Sequence, residues 1–160
     1  MRFRCFVVGV VVLASAVLVS PAVGQASDPW IGSWKINLAK SKYSSGIPPK
    51  SSTVTVVAAD GGFKQTIETV PGGLGFATRS EVIARFDGKD TRVRGNPNID
   101  TSAYRRIDAR SYEVISKQDG KVALTSIVTI SADGRTRTVT QTGTDARGQK
   151  VNNTIVYDRR

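Results

Sequence analysis

The chain has 160 residues, 23 Lys and Arg against 13 Asp and Glu for a formal net charge of +10, a single Cys and no His. Without His, Ser-His-Asp and Cys-His nucleophile systems, His-ligated haem and most zinc sites are excluded. The only cysteine, Cys5, falls in the leader described next, so thiolate chemistry is also excluded from the remainder.

Arg2 and Arg4 precede an uncharged apolar run from Phe6 to Ser20 that Pro21 ends, and Gly24-Gln25-Ala26 then offers the small residues read by signal peptidase. This pattern predicts a secretory signal peptide over 1–26, with cleavage near Ala26 or, alternatively, after Gly24, and a secreted or periplasmic product. The run is shorter than the ~20 residues of a spanning helix, so the processed chain is not expected to be transmembrane. Cys5 precedes the apolar run and so is not the lipid-bearing cysteine of a lipoprotein. Residues 27–160 form one expected domain with a net charge of +8, because the leader carries two of the basic residues and no acid. Without a disulfide, such a domain depends on packing and sheet hydrogen bonds.

From residue 51 onward, Val, Ile, Thr, Tyr and Phe alternate with polar residues, the period-2 pattern of half-buried strands. Four Asp-Gly pairs, at 60–61, 87–88, 119–120 and 133–134, punctuate these stretches and predict two-residue type I′ hairpin turns. Further turn signals lie at Pro71-Gly72-Gly73, Gly95-Asn96-Pro97-Asn98, Asp108-Ala109-Arg110 and Ala146-Arg147-Gly148. The strands are predicted near 30–37, 51–59, 62–70, 75–86, 90–94, 102–107, 111–118, 121–131, 135–144 and 149–159. Ala39 to Lys50 reads as a loop, with room for one helical turn at Asn37 to Lys42. The fold class is therefore all-β, a single antiparallel up-and-down meander barrel of about 8–10 strands. Closure of the first strand on the last removes the exposed edges.

The terminal strands carry Gly32-Ser33-Trp34 and Tyr157-Asp158-Arg159. In this the chain resembles the calycins, the lipocalins and fatty-acid-binding proteins, which open on a Gly-x-Trp strand and pack a basic residue of the final strand across the Trp. The resemblance implies barrel closure by Trp34 and Arg159. The chain is similar, too, to small exported bacterial lipocalin-like barrels with a Trp-x-x-Asn start, here Trp34 to Asn37, followed by Lys40-Ser41. It departs from fatty-acid-binding proteins in two ways. The loop from Ala39 to Lys50 is too short and Pro-rich for their helical hairpin, and Ile155 stands where they carry an anion-holding Arg.

Catalysis has few groups to use. Glu68, Glu81 and Glu113 are the mid-strand glutamates, and their facing cannot be paired from sequence; most aspartates sit in turns, where they serve the backbone. Asn96, Asn98 and Asp100 alternate without the other ligands of a calcium loop, so no metal and no cofactor is expected. The arginines are dispersed and not interleaved with stacking aromatics, which argues against nucleic acid. An outer-membrane barrel needs an outward apolar face on every strand, and strands 62–70 and 135–144 supply no such band.

The strand interiors favour binding. Phe76, Val82 and Phe86 share one face of strand 75–86, Val122, Leu124, Val128 and Ile130 one face of 121–131, and Val151, Ile155 and Tyr157 one face of the last strand. Only Leu38, Leu74 and Leu124 supply leucine beyond the leader, and many barrel positions hold Thr, Ser or Ala, which leaves either a cavity or a flattened barrel. The expected function is non-enzymatic binding of a small apolar or amphipathic, in one version anionic, ligand by a monomer. The candidate ligand-binding residues are Tyr157, Phe76, Tyr104 and Arg106, with Arg106 as the anion holder. The alternative is a protein- or envelope-surface-interaction module, such as an inhibitor of a secreted hydrolase, acting through loops 39–50 and 95–100. Contact with an anionic envelope surface suits the basic charge.

Overall fold

The computed structural model describes residues 28–59, 61–145 and 148–160. The leader with its cleavage site, Asp60, and the Ala146-Arg147 part of one predicted turn lie outside the described residues. Ten strands follow in chain order: β1 Gly32–Ile36, β2 Ser51–Ala59, β3 Gly62–Val70, β4 Thr78–Ala84, β5 Thr91–Arg92, β6 Thr101–Arg106, β7 Ser111–Gln118, β8 Lys121–Ile130, β9 Thr136–Thr144 and β10 Lys150–Arg159. They form one antiparallel sheet in the order β4-β3-β2-β1-β10-β9-β8-β7-β6-β5. The first and last strands are thus neighbours at the centre of the sheet. Its two ends approach where Glu81 of β4 and Arg94, just beyond β5, exchange backbone hydrogen bonds of 2.9 Å in each direction. The result is a nearly closed meander barrel, with no helix among the described residues.

The Asp-Gly pairs do not all make the same turn. Asp119 and Gly120 have φ of 50° and 73°, the two left-handed residues that a type I′ hairpin between β7 and β8 requires. At 133–134 only Gly134 is left-handed, at 69°. The Asp133 carboxylate there accepts the Arg135 N–H at 3.0 Å and the Ser131 hydroxyl at 2.5 Å, building a longer loop around its side chain. Asp87-Gly88 makes no β4–β5 hairpin, because the Gly88 N–H crosses to the Tyr104 carbonyl at 3.0 Å.

Other boundaries shift for local reasons. β4 begins at Thr78 and not at 75, because the loop backbone folds onto the 46–49 segment, where a Cβ on Gly72 would stand 1.9 Å from the Pro48 carbonyl oxygen. Leu38 to Lys40 form a turn and not a helical turn, since Lys42 is drawn into a two-way bridge with Thr154 of β10. A bulge lets Ser116 face Leu124 while Lys117 faces Val122, and Val122 ends up 60% exposed and not on the inner wall.

Aromatic packing seals one end of the barrel. Trp30, Phe63, Phe86, Tyr104 and Tyr112 meet through ring pairs 5.2–6.1 Å apart, mostly edge to face or tilted, the arrangements the ring quadrupole favours. Trp34 joins this layer, donating its indole N–H to the Trp30 carbonyl at 3.0 Å. Trp34 and Arg159 are register partners across β1 and β10, and the guanidinium carbon lies 4.9 Å from the indole ring centroid. Arg159 also donates to the carbonyls of Ile31 at 2.6 Å, Gly134 at 3.1 Å and Pro29 at 3.3 Å. Gly32 completes this corner, since a Cβ there would stand 2.9 Å from Arg159 Nη2. The spacing Gly-x-Trp therefore has a local cause: the glycine clears the path by which the arginine reaches the ring.

Candidate functional site

Above the aromatic layer the barrel encloses a cavity of about 180 Å³. Alternation along the strands makes its wall from inward residues, and the strand register stacks them in tiers.

The lowest tier holds Arg137 of β9, in register with Tyr157 of β10. Arg137 is only 3% exposed. Its Nη2 donates to Gln65 Oε1 at 2.9 Å and to the Tyr112 hydroxyl at 3.1 Å, and its guanidinium carbon lies 5.7 Å from the Tyr157 ring centroid. Nε and Nη1 are buried with no acceptor among the described residues. A guanidinium has five N–H donors, so three are left over here. No carboxylate pairs with Arg137 among the described residues. The single acid on the cavity wall, Glu81, is instead held by Arg79 at 2.9 Å and Lys64 at 3.1 Å, which keep its pKa below the usual carboxylate value. Burial raises the Tyr104 and Tyr112 phenols above the ordinary tyrosine value, against an opposing pull from Arg137. Both therefore stay protonated, and the Tyr112 O–H that accepts from Arg137 keeps its own proton to donate.

The next tier is apolar. Val128, Val139 and Ile155 form one register row across β8, β9 and β10, with Val54 and Ile67 paired on β2 and β3. Toward the open end the wall becomes mixed: Gln141 faces Ser126 across β9 and β8, and Ser102 and Ser116 share a hydrogen bond of 3.0 Å across β6 and β7, while Val114 and Leu124 stand in register with Ser126 and Ser116. The cavity thus carries a cationic floor, an apolar belt and a collar in which polar and apolar residues alternate around the wall.

Of the residues singled out from the sequence, Tyr157 and Tyr104 line this cavity. Phe76 does not: it sits 93% exposed on the β3–β4 loop, because the strand that was to carry it inward starts two residues later. Arg106 does not either. It is the last residue of β6, where the chain leaves the barrel, and its guanidinium lies over Trp30 and Phe86 at 4.6 and 4.8 Å while pairing with Asp28 at 3.0 Å. It caps the closed end from outside. The arginine on the cavity floor is instead Arg137, set within a strand of Thr, Arg and Gln. Its signal was parity, since Arg137, Val139 and Gln141 share one face of β9 while Thr136, Thr138, Thr140 and Thr142 share the other. Among the described residues no cluster of acidic side chains capable of holding a metal comes together.

In comparisons with known proteins, no family model matches the chain and no curated sequence is similar to it.

Proposed function

We propose that this chain is an exported, non-enzymatic binding protein that holds a small amphipathic anion inside its barrel, in the manner of a lipocalin-like carrier. The observation that carries this reading is the Arg137 guanidinium, buried with unpaired Nε and Nη1 on the floor of a cavity and facing no acid of its own. A charged group stripped of water costs several kcal/mol unless a counter-charge and hydrogen bonds replace the solvent. An anionic ligand supplies both. The apolar belt then takes the ligand body, and Tyr157 and Tyr104 offer ring faces and hydroxyls beside it. The Trp34–Arg159 closure supports a calycin-like relationship, with the anion holder on the strand next to the last. Native mass spectrometry of the protein recovered from its own host tests this: a small copurifying anion is expected in the wild type and its loss in Arg137→Gln. A wild-type protein that never carries or takes up an anion contradicts it.

One observation favours a surface role alongside. Ile47, Leu74 and Phe76 are 73%, 107% and 93% exposed on adjoining loops, with Gly73 packed against Ile47. On a basic chain, such a lip suits contact with an anionic envelope surface. Flotation with anionic vesicles checks it, with Phe76→Ser expected to reduce binding and unchanged flotation contradicting it.

A further inference from the structure

We infer that the ligand is a compact carboxylate with a second polar group at its far end, a hydroxylated six-membered-ring acid in chemical class, and not a long acyl chain. The inference rests on the proposal that the cavity binds an anion on Arg137, and adds what the rest of the wall selects.

Size comes first. The aromatic layer of Trp30, Phe63, Phe86, Tyr104 and Tyr112 fills the closed end and leaves about 180 Å³. A dry protein cavity of roughly 150 Å³ holds a single benzene, and pockets for larger organic ligands run from about 300 Å³ upward. A ring with a few substituents fits this space. A long chain with its carboxylate on Arg137 would leave most of its length in water, where its apolar surface gains nothing.

The order of the tiers comes second. Successive inward residues on a strand lie about 7 Å apart, so the apolar row Val128, Val139 and Ile155 is one six-membered ring deep. An alkyl tail needs continuous apolar wall above that row, and the structure supplies a broken one, in which Val114 and Leu124 stand opposite Ser126 and Ser116. The next inward residues of β8 and β9 are Ser126 and Gln141, register partners, and the hydrogen-bonded Ser102 and Ser116 add further polar groups to this level of the wall. Ser126 is only 6% exposed. It lines the cavity, so a ligand hydroxyl at this height has the Ser126 hydroxyl as donor or acceptor.

Three probes test this by isothermal titration: 4-hydroxybenzoate, benzoate and dodecanoate. The expected order has 4-hydroxybenzoate tightest, with an affinity on the order of tenfold above that of benzoate, as one well-placed hydrogen bond gives, and dodecanoate weakest. The preference over benzoate should shrink to near unity in Ser126→Ala, and again in Gln141→Leu. Each variant is checked for a native far-ultraviolet spectrum. If dodecanoate binds tightest, or if 4-hydroxybenzoate and benzoate bind alike, the inference fails while anion binding by Arg137 stands. If none of the three binds at millimolar concentration, the inference and the underlying reading fail together.

Discussion

Arg137 and Tyr157 occupy one register position on adjacent strands, and the guanidinium of the first lies 5.7 Å from the ring of the second, both almost withdrawn from solvent. One side of the guanidinium is occupied by Gln65 and Tyr112 and the rest is without an acceptor. Such an arrangement is poor engineering for stability alone. Replacing buried ionic groups with apolar ones of similar volume is often neutral or stabilising by about 1–4 kcal/mol. Arg137→Met is therefore expected to leave the urea unfolding free energy of the ligand-free protein unchanged or raised by about 1–2 kcal/mol, while anion binding is lost. A drop of 3 kcal/mol or more would assign Arg137 a structural role.

Closure by Arg159 behaves differently, because every contact it makes is satisfied. It offers three carbonyls hydrogen bonds and lies over Trp34. Arg159→Ala is expected to destabilise the barrel by about 2–3 kcal/mol, combining charge-assisted hydrogen bonds with a cation–π contact. Gly32→Ala, which puts a methyl group 2.9 Å from Arg159 Nη2 at a φ of 137°, should reproduce part of that loss. Urea midpoints of the two variants check this, and wild-type midpoints in both would refute it.

The seam between β4 and β5 is held by the Glu81–Arg94 bridge, and Gly95 beside it has φ of 73° with no room for a side chain, its Cβ position being 2.1 Å from the Arg79 carbonyl oxygen. Gly95→Ala should push the seam apart. The Glu81 and Arg94 amides are expected to exchange hydrogen at least tenfold faster than in wild type, with the β9–β10 amides unchanged. Equal protection at the seam would contradict this.

Alkaline pH should unfold the protein through its tyrosines. Burial, reinforced by the neighbouring Tyr157, pushes the Tyr43 phenol up to about 12 from 10.0, and burial raises Tyr104 and Tyr112 as well. A folded-state pKa above the unfolded one gives stability that is whole below the unfolded value and is lost as pH rises through the folded value. Stability should thus be flat up to about pH 10 and fall above it. Phenolate absorbance tests it directly: Tyr43, Tyr104 and Tyr112 should ionise only as the far-ultraviolet signal is lost. Titration of Tyr43, Tyr104 and Tyr112 near pH 10 in folded protein would overturn it.

Strand periodicity and turn chemistry are local, and for that reason most of the barrel could be read from the chain. Val, Ile and Thr alternation marks ten strands, and Trp34 and Arg159 are register partners that join the first strand to the last. The interior was harder to read. Alternation extended through Gly75 points Phe76 inward, but the loop packs its glycine backbone on Pro48 and leaves the ring outside. Arg106 has the parity of the inward Tyr104, yet parity does not tell at which height a strand leaves the barrel. Arg137 is hard to recognise in the chain because a lone arginine among threonines resembles a solvated strand. Its burial comes from the barrel closing over it, with Gln65 reaching across from β3.

The central claim is that the Arg137 side chain receives an anion, and the proton on its Nε reports this most directly. In a nitrogen-15 side-chain spectrum, the Nε–H signal assigned by its absence in Arg137→Gln should move strongly downfield and exchange more slowly with water as benzoate is added to saturation. An Arg137 signal that stays fixed while benzoate demonstrably binds would place the anion elsewhere and contradict the account.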